Sequence, residues 1–261
     1  MKAPILNFFD DNEIIDKDSY IEQNKDHFEN MDLVQKYNID TCLFIFVKDR
    51  VLPTDILDKC KKFYTYTSAS NENWVYIYDN KFLLAQSPLG GPAASGLMEE
   101  LGFMGIKNFF ACGSAGLINH NFDGSKFVLI DKSIRDEGVS YHYLKKSIYV
   151  NTDNDLTNYV ANFLDAKKMQ YEKTISWCND AFYRETQKAI DKRLKQGAVA
   201  VEMESAGWAA VAKYRGYRFA KLLYFSDAVK QSGWVKNPNR KELKLQIIRL
   251  MIDCVSGFSV Q

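Results

Sequence analysis

Residues 201–227 read VEMESAGWAAVAKYRGYRFAKLLYFSD, and this stretch decides the fold. Its apolar and small-residue pattern predicts a strand, a helix and a second strand. Glu202 and Glu204 follow the first strand, and Asp227 ends the second. A capping role could use one acid, but not three around apolar strand ends. Open α/β sheets bind ligands at the carboxyl ends of their strands, so these acids predict a functional site.

The chain after residue 41 continues this alternation of apolar runs and amphipathic helices. The predicted strands are residues 42–47, 74–78, 82–85, 109–112, 127–130, 199–201 and 219–225, with a hairpin turn at 79–81. The predicted helices are residues 53–62, 156–164, 182–196, 205–215 and 243–255, with a further helix beginning at 95–101. The pattern predicts an α/β fold with a mixed, mainly parallel sheet and helices on both faces.

The first 40 residues differ in composition from the rest of the chain. They are polar and acidic, and we expect an arm followed by a short helix at about residues 21–37. No repeat or low-complexity linker interrupts the sequence, and 261 residues fit one large α/β domain. We therefore predict a single domain, 1–261, with its core at 41–255.

Composition excludes several classes of function. The net charge is +1, and lysines alternate with acids, which argues against a general nucleic-acid binder. The five cysteines have no metal-ligand spacing, so no metal site and no disulfide framework are expected. The amino terminus does not begin as a signal peptide, and the apolar runs are too short to cross a membrane. The expectation is a cytoplasmic protein.

Two glycine-rich segments are predicted as loops beside strands. Gly90-Gly91-Pro92 precedes a helix, and Gly113-Ser114-Ala115-Gly116 follows an apolar strand. Their exposed N–H groups could hold an anion or a sugar, and the alternative is a tight turn in each case. Neither segment matches a P-loop or a dinucleotide fingerprint.

Two polar-aromatic segments are further candidates for binding. Residues 180–186 read DAFYRET, and the aromatic side chains could stack on a flat base. The alternative is a helix capped by Asp180. Residues 135–143 read RDEGVSYHY, and the alternative for this loop is an ion-paired surface or subunit contact. No sequence partner marks His142 as a general base.

Together these motifs resemble the nucleoside phosphorylase family, which includes purine nucleoside phosphorylases, uridine phosphorylases and methylthioadenosine nucleosidases. The resemblance rests on both glycine segments, on Val201-Glu202-Met203-Glu204-Ser205-Ala206 and on Ser226-Asp227, and it covers about residues 41–255. The segments at 135–143 and 180–186 look closest to a uridine-phosphorylase-like branch. The resemblance implies a three-layer α/β fold and a pentosyltransferase activity.

The resemblance also implies a sugar-binding set. Glu204 would accept hydrogen bonds from ribose hydroxyls, Met203 would pack against the sugar, and Glu202 would line the pocket. Ser114, with the backbone of Gly113, would lie on the side from which the nucleophile attacks.

At the base, Phe182 would stack and Asp227 would act as a general acid, with Arg240 helping this acid. Gly91, Arg135 and Arg184 complete the implied substrate-binding set. No metal or organic cofactor is implied, and phosphate is the co-substrate. Relatives of this kind assemble as homodimers or hexamers, and Phe8, Phe9 and the 135–143 loop are predicted contacts. No nucleic acid or membrane partner is expected.

Three arginines that hold phosphate in such enzymes have no counterpart here. The first loop reads FVKDRVL at residues 46–52, the residue two before Gly113 is Ala111, and residues 68–71 read SASN. Lys48, Arg50, Arg135 and Arg184 are the candidate replacements.

The family resemblance makes phosphorolysis of a nucleoside to base and ribose 1-phosphate the leading hypothesis, whereas the missing arginines favour hydrolysis. Hydrolysis, with Asp49 as the candidate to activate water, is the second, and a nucleoside-binding protein without turnover is the third. The base stays open between a purine, favoured by Asp227, and uridine, favoured by the loops.

Overall fold

The structure, a computed structural model, describes residues 13–67, 71–230 and 233–259. Its strands are β1 Thr41–Ile45, β2 Cys60–Thr67, β3 Glu72–Tyr78, β4 Phe82–Gln86, β5 Asn108–Leu117, β6 Phe127–Asp136, β7 Tyr149–Asn151, β8 Tyr171–Asn179, β9 Ala198–Glu202, β10 Arg218–Lys230 and β11 Gly233–Lys236. Its helices are α1 Lys17–Gln23, α2 Met31–Lys36, α3 Thr54–Leu57, α4 Gly91–Phe103, α5 Ser140–Tyr143, α6 Asn154–Ala166, α7 Gln187–Lys195, α8 Ser205–Arg215 and α9 Arg240–Ser256. Phe8, Phe9 and residues 68–70 lie outside the described part.

The strands form one mixed sheet in the order β11-β10-β6-β8-β9-β5-β1-β4-β3-β2, with β7 beside β6. Because β10 also pairs with β5, the strands β5, β10, β6, β8 and β9 close into a ring. At its rim, Gly116 of β5 pairs with Val201 of β9 on one side and with Asp227 of β10 on the other. This register brings the two acid-bearing motifs of the sequence to one place.

Helices cover both faces of the sheet, as predicted for the α/β class. Along β1, Cys42 and Phe44 pack with α2, α4 and α8, whereas Leu43 and Ile45 pack with α3, α6 and α9. A central strand covered on both faces is apolar at every position, which explains the continuous run at 42–45. The hairpin of β3 and β4 is also confirmed.

Several element boundaries differ from the predictions. The helix predicted at 53–62 ends at Leu57, and residues 60–67 form the edge strand β2, whose aromatic and threonine side chains favour a strand. The helix predicted at 21–37 is two short helices separated by a 3-10 turn at Lys25–Phe28. The helix predicted at 182–196 begins at Gln187, after a 3-10 turn at Phe182–Arg184.

The glycine segment at 113–116 is strand, not loop, because it continues β5 to Leu117. Its glycines are required by close approach rather than by a turn. A Cβ on Gly113 would lie 2.8 Å from Cδ2 of Phe46, and one on Gly116 would lie 3.0 Å from Cγ1 of Val201. Gly90, by contrast, has a φ of +89° where the chain enters α4.

Candidate active site

The junction of β9 and α8 places two glutamates inside the protein. The side chains of Glu202 and Glu204 are buried, with 5% and 4% of their surface exposed. Glu202 Oε2 accepts hydrogen bonds from the backbone N–H groups of Glu204 and Ser205, at 3.1 and 2.9 Å. Glu204 Oε1 accepts one from Gly90 N, at 2.9 Å, so the first glycine segment holds this carboxylate.

A buried lysine that the sequence analysis did not single out lies against this acid pair. Lys221 of β10 is 1% exposed, and its Nζ donates to Glu202 Oε2 at 2.7 Å and to Glu204 Oε2 at 3.3 Å. Burial raises the pKa of Glu202, but the charge and hydrogen bond of Lys221, together with the hydrogen bonds from Ser205, outweigh it, and the net pKa is lowered. Burial raises the pKa of Glu204, which Lys221 contacts less closely. The sequence signal for this residue is a single lysine inside the otherwise apolar run 219–225.

A cavity of about 780 Å³ opens beside these groups. It is lined by Phe46, Leu89, Ser114, Ala115, Gly116, Asp180, Ala181, Phe182, Tyr183, Arg184, Glu185, Val201, Glu202, Met203, Glu204, Ser226 and Asp227. The cavity thus brings together the predicted residues Ser114, Phe182, Met203, Glu204 and Asp227, although they come from four separate parts of the chain. Its volume suits a small organic ligand.

Asp227 lies where β10 turns into the hairpin with β11, next to an irregularity in its pairing with β5. Its Oδ1 accepts a hydrogen bond from Ser226 Oγ at 2.5 Å, and its Oδ2 accepts one from Trp234 Nε1 at 2.7 Å. These two donors fix the carboxylate at the cavity wall.

Glu185 is a second acid at this end of the cavity, and sequence reasoning missed it. Burial, and then the charge of Asp227, raises the pKa of Glu185 to about 7. A carboxyl group with this pKa can both give and take a proton near neutrality, which is the property of a general acid or base. Only its position within the DAFYRET segment hinted at a role.

The aromatic side chains of this segment form a partly exposed platform. The ring of Phe182, 41% exposed, lies edge-on to Tyr183 at 5.1 Å and to Trp234 at 6.4 Å between centroids. Asp180 does not cap the following helix, because its Oδ2 accepts from Gly138 N and Thr186 caps α7 instead. The platform can therefore stack on a planar ligand group.

Comparison with known proteins identifies the family. The sequence profile of the phosphorylase superfamily matches residues 57–250, about three-quarters of the chain. The chain belongs to the phosphorylase superfamily. The confirmed α/β architecture, with a mixed sheet between helical layers, agrees with this membership.

Individual relatives in the superfamily are distant. A guanosine phosphorylase of Halorubrum lacusprofundi is 25% identical over 142 residues, 54% of this chain and 59% of the relative. A uridine phosphorylase of Haemophilus influenzae is 23% identical over 112 residues, 42% of this chain and 44% of the relative. The purine nucleoside phosphorylase DeoD-type 1 of Shewanella oneidensis is 23% identical over 167 residues, 63% and 71% of the two chains. The match thus spans under two thirds of the first two relatives' lengths.

Some residues that the superfamily resemblance implied lie elsewhere in the structure. Arg135 is buried away from the cavity lining, and its five hydrogen bonds all go to the segment 140–147. The guanidinium N–H groups are thereby used within the protein, and Arg135 does not line the cavity. Arg240 starts α9 and donates to Asn237 O at 3.2 Å, with no ion pair to Asp227.

The structure places the two predicted glycines and the charged residues of the first loop outside the lining of the main cavity. Gly91 lies behind the lining, with its Cβ position 3.6 Å from the backbone oxygen of Met203. Gly113 lines a smaller adjoining cavity of about 50 Å³. Lys48, Asp49 and Arg50 line neither cavity, and Asp49 Oδ2 accepts from Tyr76 Oη at 3.2 Å.

In the described part of the chain, no cluster of three or more acid, histidine or cysteine side chains could hold a metal ion. Within the same residues, the longest apolar helices are too short or too polar to span a membrane. Cys42 and Cys112 are buried free thiols on β1 and β5.

Proposed function

We propose that this protein cleaves the N-ribosidic bond of a nucleoside with phosphate, releasing the free base and ribose 1-phosphate. The observation that carries the proposal is the cavity itself, whose lining combines Glu204 and Met203 with a second pair of acids, Asp227 and Glu185, whose charges interact. A sugar and a base joined by one bond need these two chemistries at the two ends of a single pocket.

At the sugar end, the carboxylate of Glu204 would accept hydrogen bonds from the ribose hydroxyls while Met203 packs on the ring. A phosphate oxygen attacks the anomeric carbon as the bond to the base nitrogen breaks. The sugar carries positive charge at this stage, and Glu202, Lys221 and Glu204 together carry one net negative charge when all are ionised. A fixed negative charge near a developing cation lowers the barrier.

At the base end, the electron pair of the broken bond moves onto the leaving base, which then needs a proton. Asp227 and Glu185 line this end together, and the protonated carboxyl of Glu185 can supply it near neutral pH. Because a purine can accept this proton at a ring nitrogen outside the broken bond, we propose a purine nucleoside as the substrate.

The smaller cavity supports phosphate as the acceptor. It shares Phe46 and Ser114 with the main cavity and is lined by Gly113 and Lys244. A lysine beside a serine hydroxyl is a suitable pair for a phosphate group. Lys244 is thus a better candidate than Lys48 or Arg50, which lie outside both linings.

Hydrolysis is the second candidate, and the charge of the main cavity favours it. Among the described residues that line this cavity, five are acidic and one, Arg184, is cationic. The acids are Asp180, Glu185, Glu202, Glu204 and Asp227. An acidic lining repels phosphate and tolerates water.

A chromatographic turnover assay tests the proposal. Inosine, adenosine, guanosine, uridine and methylthioadenosine are each incubated with and without phosphate. Phosphate-dependent release of base with ribose 1-phosphate is the expected result, with purine nucleosides turned over faster than uridine. Equal release without phosphate would establish the hydrolase, and uptake of nucleoside without release would leave a binding protein.

We further propose that a second copy of this chain covers the cavity rim. Leu89 and Tyr183 line the cavity but are 74% and 94% exposed. Exposed apolar groups of this size at a cavity mouth are typical of an interface. Light scattering at several protein concentrations should give a homodimer or a hexamer, and a monomer at all concentrations would refute this.

A further inference from the structure

Lys221 has an environment that an apolar side chain would fill at lower cost. It lies near the start of β10, and the rings of Trp208 and Phe46 lie 5.0 and 5.6 Å from its Nζ. A buried ammonium group loses its hydration, and the carboxylates of Glu202 and Glu204 compensate most of that loss, with a smaller contribution from the two aromatic rings. The charge at this position therefore serves the acid pair rather than the packing.

The carboxylates of Glu202 and Glu204 differ in how many hydrogen bonds they accept besides the one from Lys221. Glu202 is saturated, because it also accepts from Ser205 N, from Ser205 Oγ at 2.8 Å and from Ser176 Oγ at 3.3 Å. Among the described residues, Glu204 accepts side-chain hydrogen bonds from the Gly90 N–H group and from Lys221 alone. Glu204 thus keeps free acceptor positions, and it faces the cavity.

The register of the sheet places Lys221 beside a position at which the family resemblance implies a cation. Lys221 of β10 is the parallel-pair partner of Ala111 of β5. Ala111 is the position at which the resemblance leads one to expect an arginine. Neighbouring strands lie about 4.8 Å apart, which a lysine side chain can span. The positive charge is present one strand away from the expected position.

The other titratable groups near Lys221 are two thiols. Cys178 of β8 and Cys112 of β5 are fully buried, and burial raises the pKa of both. Both thiols are therefore neutral around pH 7. Among the described residues, the charged groups that act most strongly on Lys221 are therefore Glu202 and Glu204.

We propose that Lys221 is a positioning residue that keeps the carboxylate of Glu204 charged and fixed for the ribose hydroxyls. The inference rests on the proposed function and deepens it. Without the lysine, Glu204 would lie buried beside the negative charge of Glu202 and would take up a proton. A protonated Glu204 offers fewer acceptor sites to the sugar.

The test compares the pH profiles of kcat/KM for wild type, Lys221→Met and Lys221→Arg on the nucleoside that wild type cleaves best. Lys221→Met should move the acidic limb to higher pH by about one unit or more and raise KM, because the opposite charge is gone. Lys221→Arg should restore the limb. Val211→Ala is a control that creates a cavity in α8, the helix that carries Trp208. This variant should lower Tm without moving the acidic limb.

A second variant covers the case in which Lys221→Met does not fold. Glu202→Gln removes the competing carboxylate and leaves Lys221 to Glu204 alone, so the acidic limb should move to lower pH. A folded Lys221→Met with an unchanged acidic limb and KM would overturn the inference, as would a limb in Glu202→Gln that stays or rises. If wild type cleaves no nucleoside, the proposed function and this inference both fail. An active wild type whose limb ignores both variants refutes this inference alone.

Discussion

Glu185→Gln tests the chemistry at the base end most directly. With a pKa of about 7, Glu185 is about 90% protonated at pH 6 and about 10% protonated at pH 8. If its proton goes to the leaving base, kcat/KM of wild type falls about tenfold per pH unit above pH 7. Glutamine keeps the shape of the side chain but has no proton to give.

The expected loss follows from the usual value of general acid catalysis. Such a proton transfer contributes about 10²–10⁴ in rate, and Asp227 remains in Glu185→Gln to hydrogen bond the base. We therefore expect kcat/KM at pH 6 to fall by about 10²-fold, the lower end of that range. The alkaline limb near pH 7 should disappear from the profile of the variant.

The assay follows base release from a purine nucleoside between pH 5 and 9, in parallel with release of p-nitrophenol from p-nitrophenyl riboside. The second substrate has a leaving group that departs as a stable anion and needs no proton, so Glu185→Gln should leave its kcat/KM nearly unchanged. Glu72→Gln, at an exposed acid of β3, is the matched control. An alkaline limb shared by wild type and Glu185→Gln, or equal losses on both substrates, would refute the role of Glu185.

Three further predictions concern activity and stability. Glu204→Gln should lower kcat by about 10²–10³ while circular dichroism shows an intact fold, and unchanged turnover would remove Glu204 from the sugar site. Because the folded-state pKa of Glu185 is raised from 4.5 to about 7, the folded state binds its proton more tightly, and stability is lost as pH rises between these values. The Tm of wild type should fall across that window more than the Tm of Glu185→Gln, and parallel curves would contradict the shift. Arg135→Met should lower the free energy of unfolding by about 3 kcal/mol, since it leaves one buried and two half-buried carbonyl groups of the segment 140–147 unpaired, yet KM should not change once the variant is folded.

The sequence predicted the structure correctly where the residue type alone restricts the environment that a side chain can occupy. The helix at 205–215 was predicted with its observed bounds, because small residues of its amino-terminal half pack closely on α4 and Gly216, with a φ of +71°, ends it. The acids around 202–227 were predicted as a site because a buried strand end leaves a carboxylate few other uses. Asp227, Glu204 and Ser114 do line one cavity.

The sequence was less informative where the structure depends on contacts with residues that are distant in the chain. The segment at 60–67 has three lysine and cysteine residues that fit a helix, but its pairing with β3 makes it a strand. Arg135 in a polar loop looks like a ligand group until its acceptors within 140–147 are known. The raised pKa of Glu185 depends on burial and then on Asp227, 42 positions away in the chain, and no local pattern encodes either environment.

The absent arginine at position 111 illustrates the difference between a motif and a charge. A motif compares residues along one strand, whereas the electrostatic field at a site depends on every strand that borders it. Ala111 has two register neighbours, Phe44 on β1 and Lys221 on β10, and the second is cationic. The ammonium group of Lys221 donates to both Glu202 and Glu204, and its positive charge is balanced by these two carboxylates. We therefore expect Lys221 to order the proposed sugar site but not to neutralise an incoming phosphate. The charge for the sugar and the charge for the acceptor are therefore separate requirements in this fold, and the second falls to Lys244 beside Ser114 if phosphate is the acceptor.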